Sequence, residues 1–414
     1  MCPGNLDGGF AYCRAAHAGR IAMMQGTAPA LSPITLPTCF RWAEHDPLFS
    51  FAWTGRLAET FPKLDLAMFP DVGHFPHPEN FYRAASGISV FLHGSPDQRH
   101  PLSTPAPEFR MAYEVTRDFI GYGANPPDPQ WPGGAKIAVN FVMNYEEGSE
   151  PSYELGDGIT ENGLTEASGL NQVKSGRDLA AEGMFEYGSR VGFWRLMRLF
   201  QERGLPMTVF GCAMALERNP EAAAAIRAAG FDVCSHGWRW VKHFELSEEE
   251  EREHIRLAVA SQEKSVGHRP DGWYCRYGPS VNTRRLVVEE GGFLYDSDYY
   301  GDELPIWKTV DGKPHLVVPY SLTNNDGKYA GWMGTSDQWF SYIRDAFDML
   351  YEEGVKGQPK MMSIGLHMRL IGHPARAVGL QRVLDHIASR KDVWITRRVD
   401  IARHWVATHP YKPG

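Results

Sequence analysis

Four short segments of this sequence carry side chains that could catalyse hydrolysis. The adjacent carboxylates Glu146 and Glu147 occur in one of them, and His236, Arg276 and His367 occur in the other three. A carboxylate can accept a proton from water, a histidine can donate one, and an arginine can stabilise an oxyanion. Adjacent buried carboxylates repel each other, which raises the pKa of one of them, as suits a general base. Singly, such residues are usually solvated or capping groups, but together they are typical of a hydrolytic site.

These segments lie at the ends of predicted strands. The predicted strands, rich in β-branched and aromatic residues, cover residues 136–143, 207–212, 231–235, 293–296, 316–320, 361–367 and 393–396. Predicted helices cover residues 189–203, 220–229, 247–266, 282–290, 337–353, 376–390 and 399–407. Strands that alternate with helices over about 280 residues predict an α/β fold with a parallel sheet, and this many units favours a barrel. The reactive side chains would then meet at the carboxyl ends of the strands.

Composition limits the partners that this protein can have. The 414-residue chain carries 42 Lys and Arg against 50 Asp and Glu, without a basic run that would hold nucleic acid. No stretch approaches the ~18 consecutive apolar residues of a membrane span, and the first residues lack the apolar centre of a secretory signal. Six scattered cysteines argue against a zinc knuckle or a thioredoxin-like site. We therefore expect a cytoplasmic protein that acts on a small-molecule substrate. We expect the protein to bind neither nucleic acid nor membrane.

A change in composition divides the chain. Residues 94–110 contain four prolines and no hydrophobic periodicity, which is typical of a linker. This predicts a first segment at residues 1–93 and a larger domain at residues 111–414.

Long motifs run through the larger domain. They include NFVMNYEEGSE at its first strand, then FEYGSRVGFWRLMRLFQERGLPMTVFG, SVNTRRLVVEEGGFLYDSD, GKPHLVVPYSLTNND and GLHMRLIGHPAR. On these motifs, residues 110–408 resemble the polysaccharide deacetylase (NodB-homology) superfamily and, within it, the metal-independent allantoinase branch. The resemblance implies a distorted (β/α) barrel of about seven strands. It also implies hydrolytic opening of a five-membered ring such as that of allantoin.

The resemblance bears on whether this site holds a metal ion. It implies that Glu147 stands where a deacetylase has a metal ligand, and that His236 and Trp240 correspond to the zinc-binding His-x-x-x-His pair. An indole offers no lone pair to a metal, and a catalytic zinc normally needs three protein ligands. We therefore expect no cofactor. If the enzyme does depend on a metal such as zinc, the ligands would be Glu147, His236 and His243, which lies seven residues after His236.

The resemblance also implies roles in proton transfer. Glu146 corresponds to the general base, Arg276 to the arginine loop, and His367 to the general acid of a Leu-x-His motif. From the residues alone, either Glu146 or Glu147 could be the base, with His236 as an orienting group or a second acid. Without a metal ion, such a site suits a cyclic imide or ureide, whose carbonyl is more electrophilic than that of an N-acetyl amide.

Other polar and aromatic residues could shape the pocket. Candidate substrate-binding residues are Asn144, Trp240, Asp298 and Trp307. Together with Asp296, Asp298 could instead orient Arg276 or a histidine, or cap a strand. The loops after Glu147 and His236 and around Arg276 depart from the usual allantoinase form, so the substrate stays open. The alternatives are a metal-dependent N-deacetylase of an amino sugar or chitooligosaccharide, and a non-catalytic binding protein with a decayed site.

The first hundred residues carry a second resemblance. Residues 31–93 contain an aspartate in AEHDP, Asp46, and a histidine in DVGHF, His74. On these residues the segment resembles the C-terminal part of an α/β-hydrolase, in which they would be the acid and the base. No G-x-S-x-G nucleophile motif occurs in the sequence, so we expect a catalytically silent partial fold. Its uncovered strand edge or apolar face favours a homo-oligomer.

Overall fold

The computed structural model describes residues 38–43, 64–69, 117–168, 173, 176–331 and 333–413. Two compact units divide the chain, one over residues 1–114 and the other over residues 115–414. In the first unit, strands β1 (Thr38–Ala43) and β2 (Leu64–Phe69) pair in parallel. Both strands fall in the segment that resembles an α/β-hydrolase. Asp46, His74 and the predicted linker at 94–110 lie outside the described residues.

The second unit is built around one curled sheet. Its strands are β3 (Ile137–Tyr145), β4 (Thr208–Gly211), β5 (Asp232–Ser235), β6 (Gly272–Trp273), β7 (Tyr295–Asp296), β8 (Ile306–Val310), β9 (Lys313–Val317), β10 (Lys360–His367) and β11 (Val393–Ile395). The order β10-β3-β4-β5-β6-β7-β9 is parallel throughout. Strand β8 adds to β9 in antiparallel orientation, and β11 pairs with the first residues of β3. The predicted α/β barrel of about seven strands is thereby confirmed.

Strand β3 is the longest strand of this sheet. All nine of its residues are buried, because it is covered on both faces and paired on both edges. A parallel strand in such surroundings has a nearly continuous apolar sequence, which is why the sequence predicted it. An isolated bridge joins Asn325, in the loop after β9, to Gly365 of β10, so the β9 side of the curled sheet meets the β10 edge. The carboxyl ends of the strands therefore face one shared mouth.

Helices cover the outside of the sheet. They are α1 (Leu179–Tyr187), α2 (Phe193–Gln201), α3 (Ala213–Arg218), α4 (Pro220–Ala228), α5 (Glu248–Ser265), α6 (Thr283–Glu290), α7 (Ser336–Val355), α8 (Pro374–Ala388) and α9 (Arg398–Thr408). The capping box that predicted the start of α5 is present, with Ser247 accepting from the Glu250 amide and Glu250 accepting from the Ser247 amide. No helix among the described residues is long and apolar enough to cross a membrane.

The predicted helix at residues 189–203 differs from the structure. A π-helical turn occupies Gly188–Gly192, and α2 begins only at Phe193. A Cβ on Gly188 would lie 2.3 Å from Glu147 Oε1, and one on Gly192 would lie 2.1 Å from the Met368 carbonyl oxygen. Glycine at both positions lets this turn press against the ends of β3 and β10. Sequence periodicity contains no signal for the extra residue in a π turn.

Candidate active site

A cavity of about 430 Å³ opens at the carboxyl ends of the strands. Six of the residues singled out in the sequence line it: Asn144, Glu146, His236, Trp240, Arg276 and His367. They come from the ends of β3, β5 and β10 and from the loop after β6, as a parallel barrel requires. The structure thus brings together residues that are up to 223 positions apart, counted from Asn144 to His367.

Glu146 lies at the base of the cavity among three nitrogen groups. Its Oε1 is 3.3 Å from His236 Nε2 and 3.5 Å from His367 Nε2, and its Oε2 is 2.7 Å from Arg369 NH1. Burial disfavours its charge, but the charges of Arg369 and His367 outweigh burial and hold the pKa of Glu146 well below its usual range. Glu146 is therefore an ionised carboxylate at neutral pH.

His367 is held in place by a second carboxylate that the sequence analysis did not single out. Asp326 Oδ1 lies 2.6 Å from His367 Nδ1, and Asp326 Oδ2 accepts the backbone N–H of His367 at 2.7 Å. Burial lowers the pKa of His367, but the negative charges of Glu146 and Asp326 raise it more strongly, to about 9. The ring is thus an imidazolium at neutral pH, with Nδ1–H donated to Asp326 and Nε2–H directed at Glu146. A group in this state can serve as a general acid.

His236 presents its other nitrogen to the same carboxylate. Its Nδ1 lies 2.8 Å from the carbonyl oxygen of Tyr274, which can only accept, so Nδ1 carries a proton. The Tyr274 ring also stacks on the imidazole, with the ring centroids 5.1 Å apart. These contacts fix the ring plane and direct Nε2 at Glu146 Oε1, 3.3 Å away.

Glu147 points away from the cavity and is not among the residues that line it. Its Oε2 accepts the Glu146 backbone N–H at 3.1 Å, and its Oε1 lies 3.2 Å from Arg369 NH1. Burial raises the pKa of Glu147 to about 7, as expected when two adjacent carboxylates share one buried site. Of the two glutamates left open as base, Glu146 therefore is the one in contact with the cavity.

The side chains at this site do not fit a divalent metal ion. Among the described residues, no group of three His, Cys, Asp or Glu is arranged to hold one. His243, the alternative ligand, instead pairs its Nδ1 with Glu251 Oε1 at 2.9 Å, and it does not line the cavity. The Arg369 guanidinium already contacts Glu147, the residue in the position of a metal ligand. A cation beside that carboxylate opposes the binding of a second one.

Arg276 lines the cavity, but its guanidinium is already paired. Its NH2 lies 2.7 Å from Glu161 Oε2, its NH1 donates to the Trp240 carbonyl oxygen at 3.1 Å, and its Cζ is 3.7 Å from the centroid of a Trp240 ring. The Arg276 guanidinium therefore shapes the wall of the cavity, whereas Arg369 is the arginine that contacts Glu146 and Glu147.

Two residues predicted to bind substrate are placed elsewhere. Asp298 accepts the Cys275 backbone N–H at 3.1 Å, and Trp307 donates its indole N–H to the His409 carbonyl oxygen at 2.7 Å. Neither lines the cavity. Asp296 binds Arg284 at 2.6 Å and His315 at 3.0 Å, so the histidine that it contacts lies outside the lining of the cavity. Strand-end position alone did not distinguish these structural carboxylates from Glu146.

Sequence reasoning missed Arg369, Asp326 and Glu161. Arg369 lies two residues after His367 and Asp326 ends the NND motif, so both belonged to segments already recognised. Their partners lie far along the chain, 222 residues from Arg369 to Glu147 and 41 from Asp326 to His367. A charged residue close to a strand-end histidine was a signal of a functional residue that could have been used. The residue with which it pairs depends on how the loops converge in the fold.

Comparisons with known proteins show the family of this chain. A family model described as polysaccharide deacetylase matches residues 180–295. A Schizosaccharomyces pombe protein named as a polysaccharide deacetylase is 43% identical over 318 residues, which are 72% of this chain and 99% of that protein. The crystal structure of a probable polysaccharide deacetylase from Pseudomonas aeruginosa PAO1 is 49% identical, with a TM-score of 0.70, and covers 72% of this chain and 100% of its own. The crystal structure of PuuE allantoinase is similar with 49% identity, a TM-score of 0.70, and coverage of 72% and 100%.

Proposed function

Because this chain belongs to the polysaccharide deacetylase (NodB) family of C–N bond hydrolases, we propose that it opens a small cyclic ureide or imide without a metal ion. Allantoin is the first substrate to consider, since the similar PuuE structure is that of an allantoinase. The observation that carries the proposal is the position of Glu146 between two histidines and Arg369 at the base of the cavity.

The proposed reaction uses Glu146 and His367 as a base and acid pair. Glu146 accepts a proton from a water molecule while the water oxygen adds to a ring carbonyl carbon. His367 Nε2 then donates its proton to the ring nitrogen, so the C–N bond breaks and the ring opens. Glu146 returns its proton to His367 across the 3.5 Å that separates Oε1 from Nε2. One water is consumed, and both groups regain their starting states.

The strong pairing of Glu146 explains why a substrate is needed to make it a base. A carboxylate whose pKa lies well below its usual range is a weak base while His367 and Arg369 surround it. A ring bound between Glu146 and His367 Nε2 would separate these two charges and accept the hydrogen bond of His367 in place of Glu146. Loss of that neighbour raises the basicity of Glu146 when the water is in place.

The choice of a cyclic substrate follows from what the site lacks and what its walls offer. The donor set among the described residues does not fit a metal ion to polarise an acetamide, whereas a strained or conjugated ring amide is already more electrophilic. Three aromatic residues, Trp240, Tyr274 and Tyr320, and the amide of Asn144 line the cavity. Such walls suit a small planar ring with polar edges.

A second candidate, N-deacetylation of an amino sugar, is favoured by the names of the family model and of two of the similar proteins. The two activities release different products from different substrates. They therefore can be separated in one set of assays.

The deciding experiment is a substrate panel with the purified protein. Allantoin, hydantoin, succinimide and N-acetylated chitobiose are each incubated with and without chelator, and ring-opened product and acetate are quantified. We expect ring opening that survives chelation and is lost in Glu146→Gln. Release of acetate that chelation abolishes would instead favour the deacetylase. No turnover of any substrate would favour a non-catalytic binding protein.

A further inference from the structure

Arg369 is a fully buried cation beside two adjacent carboxylates. Its NH1 lies 2.7 Å from Glu146 Oε2 and 3.2 Å from Glu147 Oε1, and its Nε donates to the Leu164 carbonyl oxygen at 3.0 Å. The side chain has no exposed surface, and its NH2 has no hydrogen-bond partner within the described part of the chain. Burying a guanidinium is costly, so its position depends on the ionised Glu146 and on the second carboxyl group, Glu147, that it contacts.

We propose that Arg369 is the resident cation of this site. It is a positioning residue whose guanidinium fixes Glu146 and Glu147 and occupies the place beside them that a divalent ion would need. The inference rests on the proposed role of Glu146 as the base, but it depends on no particular substrate. Its consequence is that removal of the guanidinium leaves the two carboxylates without their cation, so an added divalent ion should bind beside them more tightly than it does in the wild type.

The aromatic neighbours of Arg369 support this assignment. Its Cζ lies 4.4 Å from the centroid of the Phe185 ring and 4.9 Å from the centroid of a Trp240 ring. The indole that cannot ligate a metal thus offers its π face to the guanidinium, which is an attractive interaction. Tryptophan at position 240 both removes a potential ligand and stabilises the cation that replaces the ion.

The contacts require an arginine rather than any positive charge. The planar guanidinium meets two carboxylates through one nitrogen, a carbonyl oxygen through another, and two aromatic rings through its faces. A lysine ammonium is a point charge without a flat face and could not make all of these contacts together. The Leu164 contact also ties the cation to a residue that lines the cavity.

Zinc titration of variants tests the inference without a substrate. Calorimetry with zinc chloride as the cationic probe should show at least tenfold tighter binding to Arg369→Ala than to wild type, because the two carboxylates lose the cation that opposes the binding of a second one. The double variant Arg369→Ala/Glu147→Gln should lose that gain. Arg276→Ala, which removes another guanidinium from the same indole, is the matched control and should gain no zinc. If Arg369→Ala does not fold, Arg369→Gln keeps most of the side chain and removes the charge.

Guanidinium rescue tests the positioning role. Arg369→Ala should lose about 10²-fold or more in kcat on the substrate found in the panel. Millimolar guanidinium or methylguanidinium should raise the kcat of Arg369→Ala at least tenfold, whereas sodium chloride at equal ionic strength should not. A folded Arg369 variant that takes up no zinc overturns the inference. If the panel finds no substrate, the proposed function fails, but the zinc titration still decides the role of Arg369.

Discussion

Two buried glutamate–histidine pairs lie at the same end of this barrel. In the first, Glu146 Oε1 is 3.3 Å from His236 Nε2 and 3.5 Å from His367 Nε2. In the second, Glu251 Oε1 is 2.9 Å from His243 Nδ1. All of these side chains are almost completely buried.

The two pairs differ in what occupies the remaining hydrogen-bonding positions of each carboxylate. Glu251 also accepts from the Ser280 hydroxyl at 2.6 Å and from the Thr283 hydroxyl. These bonds join the loop after β6, the start of α6 and the first turn of α5, and none of them goes to the cavity. Glu146 instead faces two cations and a cavity. Neutral hydroxyls hold a charge in place, whereas an imidazolium can give its proton away. Residue types alone do not separate the two pairs.

The largest expected effect tests the first pair, Glu146 with its histidines, which we call the open pair because it faces the cavity. Glu146→Gln keeps the shape of the side chain but cannot accept the proton of water, so kcat on the substrate found in the panel should fall about 10²–10⁴-fold. The thermal unfolding temperature should change far less than activity does. Circular dichroism and a melting curve supply the control for folding. A variant that retains more than a tenth of wild-type kcat would contradict the role of this carboxylate as base.

A pH profile tests the imidazolium of the open pair. Against the effect of burial, the charges of Glu146 and Asp326 raise the pKa of His367 to about 9, so the proton donor is present in the free enzyme at neutral pH and kcat/KM should fall as the pH rises through about 9. This protonation also stabilises the fold fully below pH 6.5, and the contribution is lost as the pH rises through about 9.

Asp326→Asn sharpens the same test. It removes one of the two negative charges at His367, so the alkaline limb of kcat/KM should move to lower pH. Asp337→Asn removes an exposed carboxylate and should leave the limb in place. An unmoved limb in Asp326→Asn would show that another group controls it.

The second pair, Glu251 with His243, does not line the cavity, and we call it the closed pair. Its substitution should lower stability rather than activity. Glu251→Gln weakens a buried network with one histidine and two hydroxyls, and we expect a loss of about 2 kcal/mol in the free energy of unfolding. Because the pair does not line the cavity, kcat should stay within about threefold of wild type. Denaturant melts and steady-state assays on the same preparation give both values. A large loss of kcat with unchanged stability would mean that the two pairs are coupled.

The smallest effect is expected at a tryptophan away from the cavity. Trp307→Phe removes the indole hydrogen bond to His409 and should cost about 1 kcal/mol of stability with unchanged activity. Its matched variant, Trp240→Phe, weakens the stacking of two arginines and should lower kcat/KM about fivefold. Equal effects of the two substitutions on activity would remove the distinction between them.

The sequence predicted the regular elements and the location of the strand-end clusters well. Buried β3 and the capping box of α5 leave strong local patterns, and four polar segments at strand ends were enough to place most of the cavity wall. The contacts that give these side chains their charge states come from across the chain, as Arg369 and Asp326 illustrate. His243 could be read as a ligand because its use by Glu251 depends on how α5 packs. Metal independence, a cytoplasmic location and a homo-oligomer stay predictions.

The π turn at Gly188–Gly192 fixes the length of this part of the chain. It carries one residue more than an α-helical turn would, so Phe185 before it and Phe193 after it both face buried neighbours. Deleting one residue here would restore regular α-helical geometry. The residues before the deletion would then be rotated by about 100° relative to those after it. Exposed Arg190 and Val191 can therefore vary in type, while insertions and deletions between the two glycines should be absent from any functional library of this protein.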